Sequence, residues 1–160
     1  MDIGIDLGTT FSVIAVNGRV EMAPDYPPGL YLEECDVTII PSPYGDHTFP
    51  SVVMEDPDNS GEYLFGVDAL QKAEEGYAPV MFSKRKIGTR EGIPTLTQMI
   101  FAKDVAREFL RYLKSCAERA LGRPVTRAVV THPAYFDRGA VEETREAAKE
   151  AGFEPRFRKG

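Results

Sequence analysis

The stretch from Asp104 to Leu121 most constrains what this chain can fold into. Val105, Phe109, Leu113, Cys116 and Ala120 recur at spacings of three or four residues, which places them on one face of an α-helix, and Gly122 can stop that helix. A stripe of this kind needs a sheet to cover, and the sequence supplies strands. Ile3-Gly4-Ile5-Asp6-Leu7 alternates apolar residues before Gly8, and Phe11 to Val16 is apolar and β-branched, so the chain is expected to open with a β-hairpin around a tight turn. Val37 to Ile40 and Pro50 to Met54 read as further strands flanking the turn-forming Pro43-Tyr44-Gly45-Asp46. Phe65 to Gly76 reads as a short helix. Arg127 to His132 reads as a strand, followed by a helix that Asp137 can cap, with Glu142 and Glu143 near its positive end and Gly152 as its stop.

Length and composition narrow the class. The 160 residues hold one domain or a large piece of one. An apolar fraction of 42% with 14 glycines fits an ordinary globular chain and disfavours disorder, collagen and coiled coil. Uncharged runs such as Ile93 to Ala102 fall well short of the ~18 apolar residues of a membrane span. Met1-Asp2 opens no secretory signal, so a cytoplasmic location and no membrane partner are expected. Cys35 and Cys116 are too few and too distant in sequence for a disulfide framework or metal cluster; two free thiols are expected, one in a loop and one in a core.

The net charge of −6 hides an asymmetry. Met1 to Gln71 carries 13 acids and Arg19 as its only base, whereas Lys72 to Gly160 carries 18 bases and 12 acids. Most of those bases alternate with acids at helical spacing instead of forming a stripe with aromatics, which argues against nucleic acid as a partner. The one dense basic run outside the tail, Lys84-Arg85-Lys86 with Arg90 nearby, could serve a small anion or simply be solvated. Seven of the 12 prolines lie between Pro24 and Pro57. Residues 24–36 show no period suited to a helix or central strand and are expected to form a surface insertion. Asp56 to Glu62 has a proline at its second position and Val67 where a calcium loop needs glutamate, so it reads as a solvated turn.

One string carries chemistry. Asp6-Leu7-Gly8-Thr9-Thr10 sets a carboxylate at a strand end before a turn with glycine and two hydroxyls. Gly8 allows close approach to a phosphate, the turn amides and the hydroxyls of Thr9 and Thr10 can donate to its oxygens, and Asp6 can hold hydrated Mg²⁺. The same string also serves as turn chemistry alone.

Three stretches in order, Ile3 to Ser12 (IGIDLGTTFS), Lys84 to Gly88 (KRKIG) and Ala128 to Phe136 (AVVTHPAYF), resemble signature stretches of the Hsp70 chaperones, and Val37 to Val53 (VTIIPSPYGDHTFPSVV) extends the likeness. The resemblance runs to about Gly152. It implies an α/β fold, the first lobe of the actin-like (ribonuclease H-like) ATPase fold: a mixed central β-sheet with packed helices over 1–152, followed by a divergent basic tail at 153–160. It implies ATP or ADP with Mg²⁺ as cofactors. Asp6 then matches the Mg²⁺-associated carboxylate, acting through water, and Gly8, Thr9 and Thr10 match the phosphate-binding turn. Phe11 falls close to the nucleotide, Lys84 matches the catalytic lysine, and Pro133 matches the proline that relays nucleotide state. Unfolded polypeptide clients and co-chaperones are implied as partners of the intact protein, in protein folding and the stress response.

The sequence also departs from that pattern. The second phosphate loop, adenosine pocket and catalytic glutamate of the family have no counterpart here, so this chain alone is not expected to be a competent ATPase, and its open lobe face is a candidate for self-association. The stretch between Gly88 and Lys103 is short, His132 stands where valine is usual, and Val141 stands where many members have the arginine that communicates with the interdomain linker. An actin-like assembly or scaffold protein, a sugar kinase lobe and a non-catalytic interaction module are the alternatives. KRKIG and HPAYF weigh against the first, and no sugar-binding acid is visible for the second.

Overall fold

A computed structural model of the chain describes residues 1–81, 87–132 and 134–155. The hairpin forms as expected: β1 (Asp2–Asp6) pairs antiparallel with β2 (Phe11–Asn17). On its other side β1 pairs in parallel with β11 (Arg127–Thr131), Asp2 opposite Arg127 through Asp6 opposite Thr131. Beyond β11 lies β12 (Glu154–Pro155), also parallel; beyond β2 lie β4 (Val37–Ile40) and then β3 (Leu30–Leu32), both antiparallel. The sheet is therefore mixed, in the order β12-β11-β1-β2-β4-β3, with β5 (Phe49–Pro50) paired to the start of β2.

A smaller sheet sets β6 (Val52–Glu55) between β7 (Tyr63–Phe65) and β8 (Val80–Met81), and a hairpin joins β9 (Ile93–Pro94) to β10 (Met99–Ile100). Three α-helices and a short 3-10 turn at Glu33–Cys35 complete the described chain: α1 (Gly66–Glu74), α2 (Ala102–Leu121) and α3 (Arg138–Glu150). Alternation decides which face of the main sheet is buried. Ile3, Ile5, Ile14, Val16, Ile40, Ala128 and Val130 share one core with the α2 stripe, in which Val105, Phe109, Leu113, Cys116 and Ala120 are all buried. Asp104 reaches back to accept the N–H of Phe101 and so fixes the start of α2. Asp137 accepts the N–H of Ala140 at 2.7 Å at the start of α3, as its position in the sequence implies.

Both thiols lie where expected, Cys35 exposed and Cys116 buried. Burial pushes the Cys116 thiol up to about 11, so it stays protonated and packs as a small apolar group. The turn after Asp56 is also as read: the Asp56 carboxylate accepts the Asp58 N–H and the Asn59 amide, closing the connection between β6 and β7.

Three elements differ from the sequence reading. Residues 24–36 are not wholly superficial: Tyr26 is buried and donates its hydroxyl to the Pro41 carbonyl, while Leu30–Leu32 adds the edge strand β3. A proline-rich stretch can contribute an edge strand because one side of such a strand needs no ladder partner. The strand expected over Pro50 to Met54 breaks at Ser51, whose N–H donates to the Thr10 carbonyl and whose hydroxyl pairs with that of Ser12 at 2.9 Å. This break moves the chain from the main sheet to the smaller one. Finally, the fold does not give way to a tail at residue 153, because Phe153 is buried and β12 continues the main sheet. Residues 156–160 of that expected tail lie outside the described residues.

Glu55 ends β6 with little exposure and accepts both the N–H and the hydroxyl of Thr97, fastening the β9–β10 hairpin to the smaller sheet. The Thr97 hydroxyl holds its carboxyl below the ordinary glutamate value of 4.5, against the opposing effect of burial. A lowered folded-state value stabilises the fold fully above the ordinary value, and that contribution is lost as pH falls through the folded-state value. Urea denaturation of wild type and Glu55→Gln should show wild type more stable at neutral pH and the difference shrinking below pH 4.5. A difference independent of pH would contradict this role for the ionised carboxylate.

Candidate functional site

The parallel pairing of β1 with β11 places the segments that leave both strands at the same edge of the sheet. Ligands of open α/β sheets bind beyond the carboxyl ends of their strands. Asp6, the last residue of β1, is exposed there, and the Thr131 hydroxyl donates to its Oδ1 at 2.7 Å from the last residue of β11. Reading the sequence alone did not single out Thr131. Its contact spans 125 positions, and only the strand register makes it visible.

The turn after Asp6 is tight. The Gly8 N–H donates to the Asp6 carbonyl at 3.2 Å, and a Cβ added at Gly8 would lie 1.8 Å from the Phe11 carbonyl oxygen. Only glycine fits that path. Thr9 and Thr10 are exposed at the tip, and their hydroxyls make no hydrogen bond among the described residues. Phe11 follows and is 54% exposed. Beneath the turn, the Thr10 carbonyl is held by the Ser51 N–H at 2.9 Å, and the buried Ser12 and Ser51 hydroxyls bond to each other. A fixed floor thus supports a surface that offers a carboxylate and two free hydroxyls.

Five of the residues singled out from sequence, Asp6, Gly8, Thr9, Thr10 and Phe11, stand together in this turn. Lys84 and Pro133 lie outside the described residues. Three positions after the first in sequence, Ile87 is buried in the main core; just before the second, His132 stacks on Phe136 with ring centroids 6.0 Å apart, and Phe136 meets Tyr135 edge-on. Among the described residues no group of three or more His, Cys, Asp or Glu is arranged to hold a metal ion. The donors present instead suit a hydrated cation touched by one carboxylate beside a phosphate chain. No described helix is long and apolar enough to cross a membrane.

The family model described as Hsp70 protein matches residues 92–157, from β9 through β12. The chain is 32% identical over 152 residues to the chaperone protein DnaK of Mycoplasmopsis synoviae (strain 53), 33% identical over 152 residues to that of Metamycoplasma hominis, and 32% identical over 152 residues to that of Mesomycoplasma hyopneumoniae (strain 232). Each similarity covers 95% of this chain.

The chain is Hsp70-like.

It spans 22% of the length of each of these relatives. The family match also runs past Gly152 to residue 157, in keeping with the pairing of β12 to the main sheet.

Gly8→Ala tests how closely the turn is built. The added methyl has no room beside the Phe11 carbonyl, so the substitution should lower unfolding free energy in urea by about 1–3 kcal/mol and shift the backbone amide resonances of residues 7–11. A variant as stable as wild type with unchanged resonances would contradict this geometry.

Proposed function

We propose that this chain binds Mg-ATP at the edge where β1 and β11 end, as the first lobe of an actin-like nucleotide-binding domain. The observation that carries the reading is the juxtaposition of Asp6, its Thr131 partner and the glycine-threonine turn at one sheet edge, in a chain with Hsp70 likeness. In an intact protein of this kind, binding and hydrolysis of ATP would control affinity for unfolded polypeptide, with co-chaperones acting through regions beyond these 160 residues.

Each residue has a task in this reading. Asp6 orients water on Mg²⁺, with the Thr131 hydroxyl holding one carboxylate oxygen in place. Gly8 keeps the backbone path low so that phosphate oxygens can come close, and Thr9 and Thr10 donate their hydroxyls to them. Phe11 borders the nucleotide. Lys84 supplies a compact positive charge beside the γ-phosphate and the attacking water, and Pro133 relays nucleotide state. The bound Mg²⁺ would neutralise charge developing on the phosphates. Residues 1–71, with a single base, offer little else to balance a triphosphate, so cationic groups from the second half of the chain are needed.

One lobe gives an open face in place of a closed, dry site, and phosphoryl transfer depends on positioning and water exclusion. Binding without competent hydrolysis is therefore expected of the 160-residue chain. Calorimetric titration with Mg-ATP should give saturable binding that Asp6→Ala and Lys84→Ala each weaken about tenfold, the scale of one charge-assisted contact. Absence of binding to the folded chain, or binding indifferent to both substitutions, would overturn the proposal.

A further inference from the structure

One residue of another strand lies directly beneath the candidate phosphate turn. The Ser51 N–H donates to the Thr10 carbonyl at 2.9 Å, and its hydroxyl is 2.9 Å from that of Ser12, with both serines wholly buried. The register explains why this bond falls on Ser51. β5 runs antiparallel to the start of β2, with Phe11 opposite Pro50 and Ser12 opposite Phe49. Pro50 has no N–H to give, so the next donor along the chain, Ser51, meets the Thr10 carbonyl. Ser51 is itself anchored from both sides: Phe49, Val52 and Val53 are buried, and Phe49 meets Tyr112 of α2 edge-on with ring centroids 6.2 Å apart. Thr9 and Thr10, exposed at the tip, have no such packing of their own.

Peptide planarity carries this contact into the site. The Thr10–Phe11 peptide is trans, and a trans peptide holds its C=O and N–H on opposite sides. Directing the Thr10 carbonyl down to Ser51 therefore directs the Phe11 N–H away from β5 and fixes the backbone from which the Thr10 side chain departs. We infer that Ser51 is a positioning residue for nucleotide binding: its hydroxyl pairs with Ser12, this pair locks the Ser51 N–H under the Thr10 carbonyl, and the lock presents Thr10 and Phe11 to the phosphates in one orientation. A turn fixed in advance spares the ligand an ordering cost. The inference rests on the proposed Mg-ATP site. Ser12 and Ser51 are 39 positions apart, and local pattern gave no sign that they meet.

Ser12→Ala, Ser51→Ala and the double replacement separate positioning from bulk stability. Each single change leaves a buried hydroxyl unpaired and should lower the melting temperature, whereas removing both leaves no unpaired group and should bring it back toward wild type. The orientation of the turn does not return with stability, because the lock is absent from all three variants. Hydrogen exchange should show the Ser51 amide protected in wild type and exchanging faster in every variant. Titration of each 160-residue chain with Mg-ATP should give an affinity about fivefold below wild type, the scale of one ordinary hydrogen bond, in the double variant as in the singles. If the double variant recovers Mg-ATP affinity together with its melting temperature, or if the Ser51 amide stays protected throughout, the serine pair is merely structural and the inference fails while the site proposal stands. If folded wild type itself binds no Mg-ATP, the site proposal fails and takes this inference with it.

Discussion

The parallel pairing of β1 with β11 is the constraint on which the rest of the structure depends. A parallel neighbour cannot be reached by a hairpin, so the chain must leave the sheet and return, and here everything from the Asp6 turn to α2 lies between the two strands. The pairing is held from one side. Ile3, Ile5, Ala128 and Val130 point into the core that α2 and α3 cover, while Asp2, Asp6, Arg127, Val129 and Thr131 remain exposed or partly so on the other face. Arg127 and Asp2 meet at 2.7 Å near the start of the pair, and Thr131 and Asp6 at 2.7 Å near its end. The same register that buries the apolar residues therefore delivers a hydroxyl to a carboxylate at the edge where a ligand can reach both.

Stability and chemistry occupy different parts of the molecule. Phe109, Leu110, Leu113 and Ala117 are fully buried on α2, and the stacked rings of Phe65 and Tyr112, 4.7 Å apart, tie that helix to the smaller sheet. Between α2 and α3, Lys103 bridges Glu146 and Glu150, and Arg107 reaches Asp104, Glu108 and Glu150. These pairs are partly exposed and individually contribute little, and because two bases face four acids in them, the basic excess of the second half lies on other residues. The Asp6 turn, in contrast, leaves its polar groups facing solvent and draws its rigidity from the floor beneath it, through the Ser51 N–H and the paired serines.

What could be read from sequence was what local chemistry decides. The α2 stripe, the stop at Gly122, the Asp137 cap and the opening hairpin each follow from residues within a few positions of one another. The character of both cysteines followed from the same patterns. Hidden were the features set by distant partners: Thr131 on Asp6, Glu143 on Gly88, Ser51 beneath Thr10, and β3, which is a strand only because β4 lies beside it. The end of the fold was placed too early because a two-residue strand such as β12 carries no period of its own and forms by joining an existing sheet. In the candidate site, the residue types were legible in the Asp6 to Phe11 string, and their second-strand partner was not.

The most direct test of the account is residue-resolved NMR of the isotopically labelled 160-residue chain titrated with Mg-ATP. Saturable shifts should concentrate at residues 6–11 and at Thr131 and His132, with the resonances of α1 and the smaller sheet little changed. Shifts centred away from the edge where β1 and β11 end, or no saturable shifts in a folded chain, would contradict the claim that this edge is the nucleotide site.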